Sequence, residues 1–151
     1  LSRWRRCASR ARSEHHPTMA GEHLPTPRSL RAAAQTAAAR GEPLVVMTSL
    51  AGCVYCDLVR NSHLVPMLRR GEVVAVQIDV RDRQSVLQGF AGETTHPADM
   101  ASAWKARFTP TVLFFGPDGR ELAERLVGVA VPDFYGEYLD ARLAEARRRL
   151  R

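Results

Sequence analysis

The sequence contains one closely spaced pair of cysteines, Cys53 and Cys56, in the pattern C-x-x-C. The pair follows an apolar run at 44–47 that predicts a buried strand, and it precedes an amphipathic stretch that predicts a helix. Two cysteines on the first turn of a helix bring their sulfurs within bonding distance, and the unpaired amides there stabilise a thiolate. Disulfide exchange needs one sulfur that attacks and a second that resolves the mixed disulfide. We therefore predict a redox pair in which Cys53 attacks and Cys56, lying deeper, resolves.

The same motif also occurs as half of a zinc site, which requires a second pair of ligands at short spacing. The other candidates are Cys7, His63 and His96, and none of them has such a neighbour in the sequence. The pattern therefore favours redox chemistry. Two alternatives stay open: a copper- or zinc-binding module that uses Cys53, Cys56 and His63, and an interaction domain in which the two cysteines form a structural disulfide.

A second feature is Thr109-Pro110-Thr111, placed just before a predicted strand. A proline that enters a sheet usually marks an edge or a tight turn. Taken alone, an ordinary trans proline after a helix accounts for it equally well.

Three further side chains could contribute to a site. His63 lies seven residues after Cys56 and should share its helix face, where it is either a proton-transfer or metal-binding group or a surface histidine. His96 follows two threonines in a predicted loop and has the same two interpretations. Tyr55, between the cysteines, should be exposed and able to contact a partner.

Hydrophobic periodicity and turn residues predict the elements that must position these groups. In chain order they are a helix at 28–40 stopped by Gly41, a strand at 44–47, a helix from the cysteine pair to about 70 with a break near Pro66, a strand at 72–80, an irregular insertion at 81–97, a helix at 98–107, a strand at 111–115, a turn at 116–119, a strand at 121–129 and a final helix from Pro132. The alternation of helices and strands predicts an α/β domain at residues 28–151.

Charge is distributed unevenly along the 151 residues. Of the 22 basic and 16 acidic residues behind the net charge of +6, residues 1–40 hold eight arginines and two glutamates, which leaves 14 of each sign in the remainder. Because residues 41–151, which make up most of the predicted domain, are neutral overall, a nucleic-acid-binding function is not expected. Residues 1–27 lack periodicity and are predicted to be a basic, disordered tail. We find no stretch long enough to span a bilayer and no readable secretory signal.

The sequence resembles the thioredoxin superfamily, and most closely its bacterial members that are exported to the periplasm. The features that carry this resemblance are the apolar strand at 44–47, the C-x-x-C motif, the Thr109-Pro110-Thr111 segment with Phe114-Phe115 and the turn at 116–119. The resemblance covers residues 28–151. It implies a central sheet of about four strands flanked by helices, with Cys53 as nucleophile and Cys56 as resolving thiol. It also implies that Pro110 is a cis proline facing the cysteines and that the backbone at Thr109 pairs with a bound peptide.

The sequence departs from ordinary thioredoxins at three places. Gly52 stands where they have Trp, Met47 stands where they have a buried acid six positions before the first cysteine, and Val54-Tyr55 replaces Gly-Pro between the cysteines. Without the acid, the usual proton acceptor for the resolving thiol is missing. These departures distinguish the chain from a housekeeping thioredoxin.

The resemblance also implies the partners. We expect a monomeric disulfide reductase that acts on protein thiols and disulfides and receives electrons from an upstream thiol donor. No organic cofactor, metal or nucleic acid is required. The expected compartment is the periplasm, with the cytoplasm as the alternative.

Overall fold

A computed structural model describes residues 23–151. Its elements are, in chain order, α1 (Leu30–Ala39), β1 (Leu44–Ser49), α2 (Val54–Val59), a π-helical turn (Arg60–Leu64), α3 (Val65–Arg69), β2 (Val74–Asp79), β3 (Leu87–Gln88), β4 (Thr94–Thr95), α4 (Pro97–Ala103), β5 (Thr111–Phe115), β6 (Leu126–Val127), a 3₁₀ turn (Pro132–Phe134) and α5 (Tyr135–Leu150).

The four-stranded sheet has the order β2-β1-β5-β6. Strand β1 pairs with β2 in parallel and with β5 antiparallel, and β6 pairs antiparallel with β5. All six residues of β1 and all five of β5 are buried. Strands covered on both faces are expected to be apolar almost throughout, which is what their sequences show. The predicted α/β fold, with about four strands flanked by helices, is confirmed.

Alternate residues of the central strands point into two separate cores. One core contains Met47 and Phe114 and is covered by α2, α3 and α5. The other contains Val46 and Phe115 and is covered by α1 and α4. The sheet is therefore fixed from both sides, and the loop that carries the cysteines emerges from the end of its central strand β1.

Two helices end where a glycine adopts the left-handed backbone conformation. Gly41 and Gly71 have φ values of 72° and 70° and end α1 and α3, as predicted for Gly41. Helix α4 ends earlier than predicted, at Ala103 rather than 107. Lys105 takes the left-handed position there with φ 56°, and the Ala106 N–H donates to the Ala101 carbonyl at 2.8 Å. A lysine in this conformation is uncommon, so the sequence carried no stop signal.

The predicted break near Pro66 begins before the proline. The Val65 N–H donates to the Arg60 carbonyl five residues earlier, which is a π-helical bond. Pro66 has no N–H, and its ring would clash with the carbonyl four residues before it in a regular helix. One wider turn removes this clash, so the chain continues as a helix on the far side.

Two other predicted segments differ from the structure. The insertion at 81–97 is not wholly irregular, because β3 and β4 form a small antiparallel pair within it. The predicted strand at 121–129 is reduced to Leu126–Val127 and an isolated bridge between Phe115 and Glu121. The turn residues at 116–119 predict where the chain reverses direction, but they do not predict how many residues pair with β5 after the turn.

The folded domain begins before residue 28. Leu24 is buried in the core that contains Met47, and the Gln77 N–H donates to the Pro25 carbonyl at 2.9 Å. The prediction of a disordered tail up to residue 27 is therefore wrong for these residues. Cys7 and the rest of the predicted tail up to residue 22 lie outside the described residues. Within residues 23–151, no helix has the length and hydrophobicity needed to cross a membrane.

Candidate active site

A tight turn joins β1 to the cysteine pair. The Cys53 N–H donates to the Leu50 carbonyl at 3.2 Å, and Gly52 has φ 79° at the third position of the turn. This is the position at which a type II turn requires a positive φ, and therefore favours glycine. The glycine found where thioredoxins have Trp thus has a local structural cause.

Replacement of Gly52 tests this assignment. A Cβ placed there meets no atom within 4 Å, so strain in the backbone is the only expected cost. We expect Gly52→Ala to lower the free energy of unfolding by about 1–2 kcal/mol, measured by urea denaturation. Gly52→Asn is the matched control and should lose less, because Asn tolerates the left-handed region. Equal losses in both variants would contradict the assignment.

The two cysteines have different environments on the first turn of α2. Cys53 is the N-cap residue, and its Sγ accepts a hydrogen bond from the Cys56 N–H at 3.2 Å. Cys53 is partly exposed, whereas Cys56 is fully buried. The sulfurs are joined in a disulfide, with the two Cα atoms 5.2 Å apart. Cys53 is therefore the more accessible of the two cysteines, and Cys56 lies behind it.

The loop before β5 lies against this pair. The Thr109–Pro110 peptide bond is cis, the isomer that the resemblance implies. The Thr109 Oγ1 lies 3.6 Å from the Cys53 Sγ. Pro110 is buried and Thr109 is partly exposed. The structure thus brings together Cys53, Cys56 and Thr109-Pro110, segments that lie more than fifty residues apart in the sequence.

The side chain at the position of the missing acid lies in a hydrophobic core. Met47 is completely buried on β1, in the core that also contains Val59 and Tyr135. Among residues 23–151 the buried polar or charged residues are Thr48, Ser49 and Thr111, so none of the described carboxylates is buried beside it. Position 47 therefore offers no proton acceptor for the Cys56 thiol.

His63 does not join the cysteines. It lies on the π-helical turn, about 10 Å along the helix from Cys56 at 1.5 Å per residue. Its ring packs against Tyr135 with a centroid distance of 5.3 Å. Partial burial lowers the pKa of His63, and the Asp140 carboxylate opposes this shift. His63 therefore links the helix to α5 and is placed for packing rather than for proton transfer at Cys56.

His96 is also held by structure. It precedes α4, and its Nδ1 lies 2.8 Å from the Ser85 carbonyl, across the inserted segment. Within residues 23–151, no three His, Cys, Asp or Glu side chains are grouped closely enough to hold a metal ion.

Two residues of this region were not identified from the sequence. Thr48 is a buried polar residue at the end of β1, and its Oγ1 accepts a hydrogen bond from the Thr111 N–H at 2.9 Å. Phe108 is two-thirds exposed immediately before Thr109. The sequence does contain a signal for each of them. One is a threonine at the end of an apolar strand, and the other is an aromatic residue next to the Thr-Pro pair.

Comparison with known proteins agrees with this geometry. The sequence model of the thioredoxin-like domain family matches residues 30–142. A search of curated proteins gives no significant match. Among solved structures, oxidised thioredoxin O2 from Arabidopsis thaliana is 17% identical, with a TM-score of 0.53, over 81% of this chain and 96% of that one. Oxidised mitochondrial thioredoxin 3 from Saccharomyces cerevisiae is 18% identical, with a TM-score of 0.52, over 81% and 94%. Fasciola hepatica thioredoxin is 17% identical, with a TM-score of 0.52, over 79% and 99%. At these identities the similarity establishes the fold.

Proposed function

We propose that this chain, which belongs to the thioredoxin-like domain family, is a thiol–disulfide oxidoreductase that reduces disulfides in protein partners. The observation that carries the proposal is the asymmetry of the pair: Cys53 is partly exposed at the start of a helix, and Cys56 is fully buried behind it. A disulfide that served stability alone would need neither feature.

The first step is the attack of the Cys53 thiolate on a partner disulfide. A bond forms between the Cys53 Sγ and one partner sulfur, and the other partner sulfur leaves as a thiolate. The amides at the N-terminus of α2 stabilise the attacking anion, as the hydrogen bond from the Cys56 N–H to the Cys53 Sγ illustrates. The proton lost by Cys53 goes to solvent, since this residue is partly exposed.

The second step releases the partner. The Cys56 sulfur, once deprotonated, attacks the Cys53 Sγ, the Cys53–Cys56 disulfide forms, and the partner leaves as a dithiol. Two electrons have then passed from this protein to the partner, and an upstream thiol donor must return them. Because position 47 is apolar and Cys56 is fully buried, the Cys56 proton goes to the partner thiolate that leaves Cys53 rather than to a carboxylate at position 47.

The loop at Thr109 supplies a surface for the partner. The backbone N–H and C=O of Thr109 have no hydrogen-bond partner among the described residues, and its side chain lies beside the Cys53 Sγ. These groups are placed to pair with an extended segment that carries the target disulfide.

Insulin reduction tests the proposed activity. With dithiothreitol as the electron source, the wild-type protein should accelerate the precipitation of reduced insulin chains several-fold over dithiothreitol alone. Cys53→Ser should fall to the rate of dithiothreitol alone, because the attacking sulfur is gone. A wild-type protein that gives no acceleration would contradict the proposal.

The compartment and the oligomeric state are further parts of the proposal. The resemblance to exported proteins supports a monomer that acts in the periplasm. Recovery of the protein in the cytoplasmic fraction of the source cells would contradict that location.

A further inference from the structure

Two buried hydroxyl groups lie behind the Thr109-Pro110 loop. Thr48 and Thr111 are cross-strand partners at the ends of β1 and β5, and their exposed fractions are 0% and 1%. They are two of the three buried polar residues in the described part of the chain. Buried hydroxyl groups are costly unless they are hydrogen-bonded, so their contacts indicate what they hold in place.

The contacts of both hydroxyl groups converge on the loop. The Thr48 Oγ1 accepts a hydrogen bond from the Thr111 N–H at 2.9 Å. The Thr111 Oγ1 donates to the Phe108 carbonyl at 2.5 Å. The Thr48 hydroxyl lies 3.4 Å from the same carbonyl and 3.5 Å from the Thr111 carbonyl, which are long contacts. The two hydroxyl groups therefore connect β1 to both ends of the segment 108–111.

A second contact fixes the outer side of this segment. The Gly128 N–H donates to the Pro110 carbonyl at 2.7 Å. The Phe108 ring covers Gly128, where a Cβ would lie 3.0 Å from the ring. Phe108 and Thr109 are thus held from β1 on one side and from the segment after β6 on the other, with the Phe108 ring left two-thirds exposed.

We propose that Thr48 is a positioning residue for partner binding. Its hydroxyl group, acting through Thr111, holds Phe108 and Thr109 at the distance from Cys53 that a protein disulfide requires. The Thr48 hydroxyl group contacts Phe108 and Thr111 rather than either sulfur, so it acts through the loop. The inference rests on the proposed reductase function. Under this inference, Thr48 contributes to the recognition of protein disulfides and is not needed for the reduction of small disulfides.

The test compares a protein disulfide with a small one. Thr48→Val keeps the shape of the side chain and removes the acceptor for the Thr111 N–H. We expect the KM for insulin to rise by about tenfold, while kcat and the rate with 5,5′-dithiobis(2-nitrobenzoic acid) stay within about twofold of wild type. Thr48→Ser retains the hydroxyl and should restore the wild-type KM. Ser49→Ala is the matched control, because it removes the neighbouring buried hydroxyl, which contacts the Ile78 carbonyl and not the loop.

Other outcomes separate the inference from its premise. If Thr48→Val is less stable but keeps the wild-type KM for insulin, Thr48 is merely structural and the inference is wrong. An equal rise in KM for Ser49→Ala would also overturn it. If Thr48→Val does not fold, Thr111→Val provides the test. This variant keeps the hydrogen bond from the Thr111 N–H to the Thr48 Oγ1 at 2.9 Å and removes only the bond from the Thr111 hydroxyl to the Phe108 carbonyl. An unchanged KM for insulin in Thr111→Val would overturn the inference. If the wild-type protein reduces the small disulfide but not insulin, the proposed function fails instead.

Discussion

Cys56→Ser should accumulate covalent complexes with partner proteins, and Cys53→Ser should accumulate none. Cys53 is the more exposed of the two cysteines, and within residues 23–151 Cys56 is the one cysteine that lies next to it to resolve the mixed disulfide. Without Cys56, the mixed disulfide has no internal route of escape and should survive acid quenching. Turnover of insulin should fall to background in both variants. Non-reducing gels followed by peptide identification measure the adducts and name the partners.

The two variants also discriminate between the alternatives. A metal-binding module should give no adducts in either variant and should lose bound metal in both. A structural disulfide should also give none, and both variants should lose the same stability. If Cys53→Ser captures as many partners as Cys56→Ser, the order of attack is wrong.

The chemistry of the site could be predicted from the sequence because it lies in local patterns. A strand, a C-x-x-C motif and a helix place both sulfurs on one helical turn, and this required no long-range information. The same holds for Gly41, whose backbone freedom marks a helix end in the sequence itself. The π-helical turn was missed because the sequence shows only that Pro66 must disturb the helix, and not that the chain would adjust one turn earlier.

Features that depend on distant contacts could not be predicted. His63 has the spacing that places it on the Cys56 helix face, yet the ring packs against Tyr135, which is more than seventy residues away. The role of Thr48 depends on its register with Thr111, and register across β1 and β5 is fixed only by the assembled sheet. Leu24 is buried in a core, yet the sequence places it in the predicted tail because one apolar residue among prolines gives no periodic signal.

Met47→Asp should destabilise the protein strongly and in a pH-dependent way. Position 47 is fully buried in a hydrophobic core, and none of the cationic side chains in residues 23–151 is buried with it to pair with a carboxylate. Burial should raise the pKa of the new Asp above its unfolded value of about 3.9. The folded state then binds the proton more tightly, so the added penalty is small below about pH 4 and grows as the pH rises toward the folded pKa. We expect a loss of about 3–5 kcal/mol at pH 8, measured by urea denaturation.

The matched control is Met47→Leu, which conserves volume and should cost less than about 1.5 kcal/mol at either pH. The comparison separates the effect of charge from that of altered packing. Met47→Asp that is as stable at pH 8 as at pH 5 would contradict the assignment of position 47 to a dry core. It would also reopen this position as a site for a proton acceptor near Cys56.

The most direct test of the central claim is the redox equilibrium of the Cys53–Cys56 pair in a defined thiol–disulfide buffer, followed together with the rate of approach. We expect rapid, reversible exchange and a reduction potential above about −300 mV, because Cys53 is partly exposed and the helix N-terminus stabilises its thiolate. A potential below about −300 mV with slow exchange would mean that the pair is a structural disulfide, and would contradict the proposed oxidoreductase function.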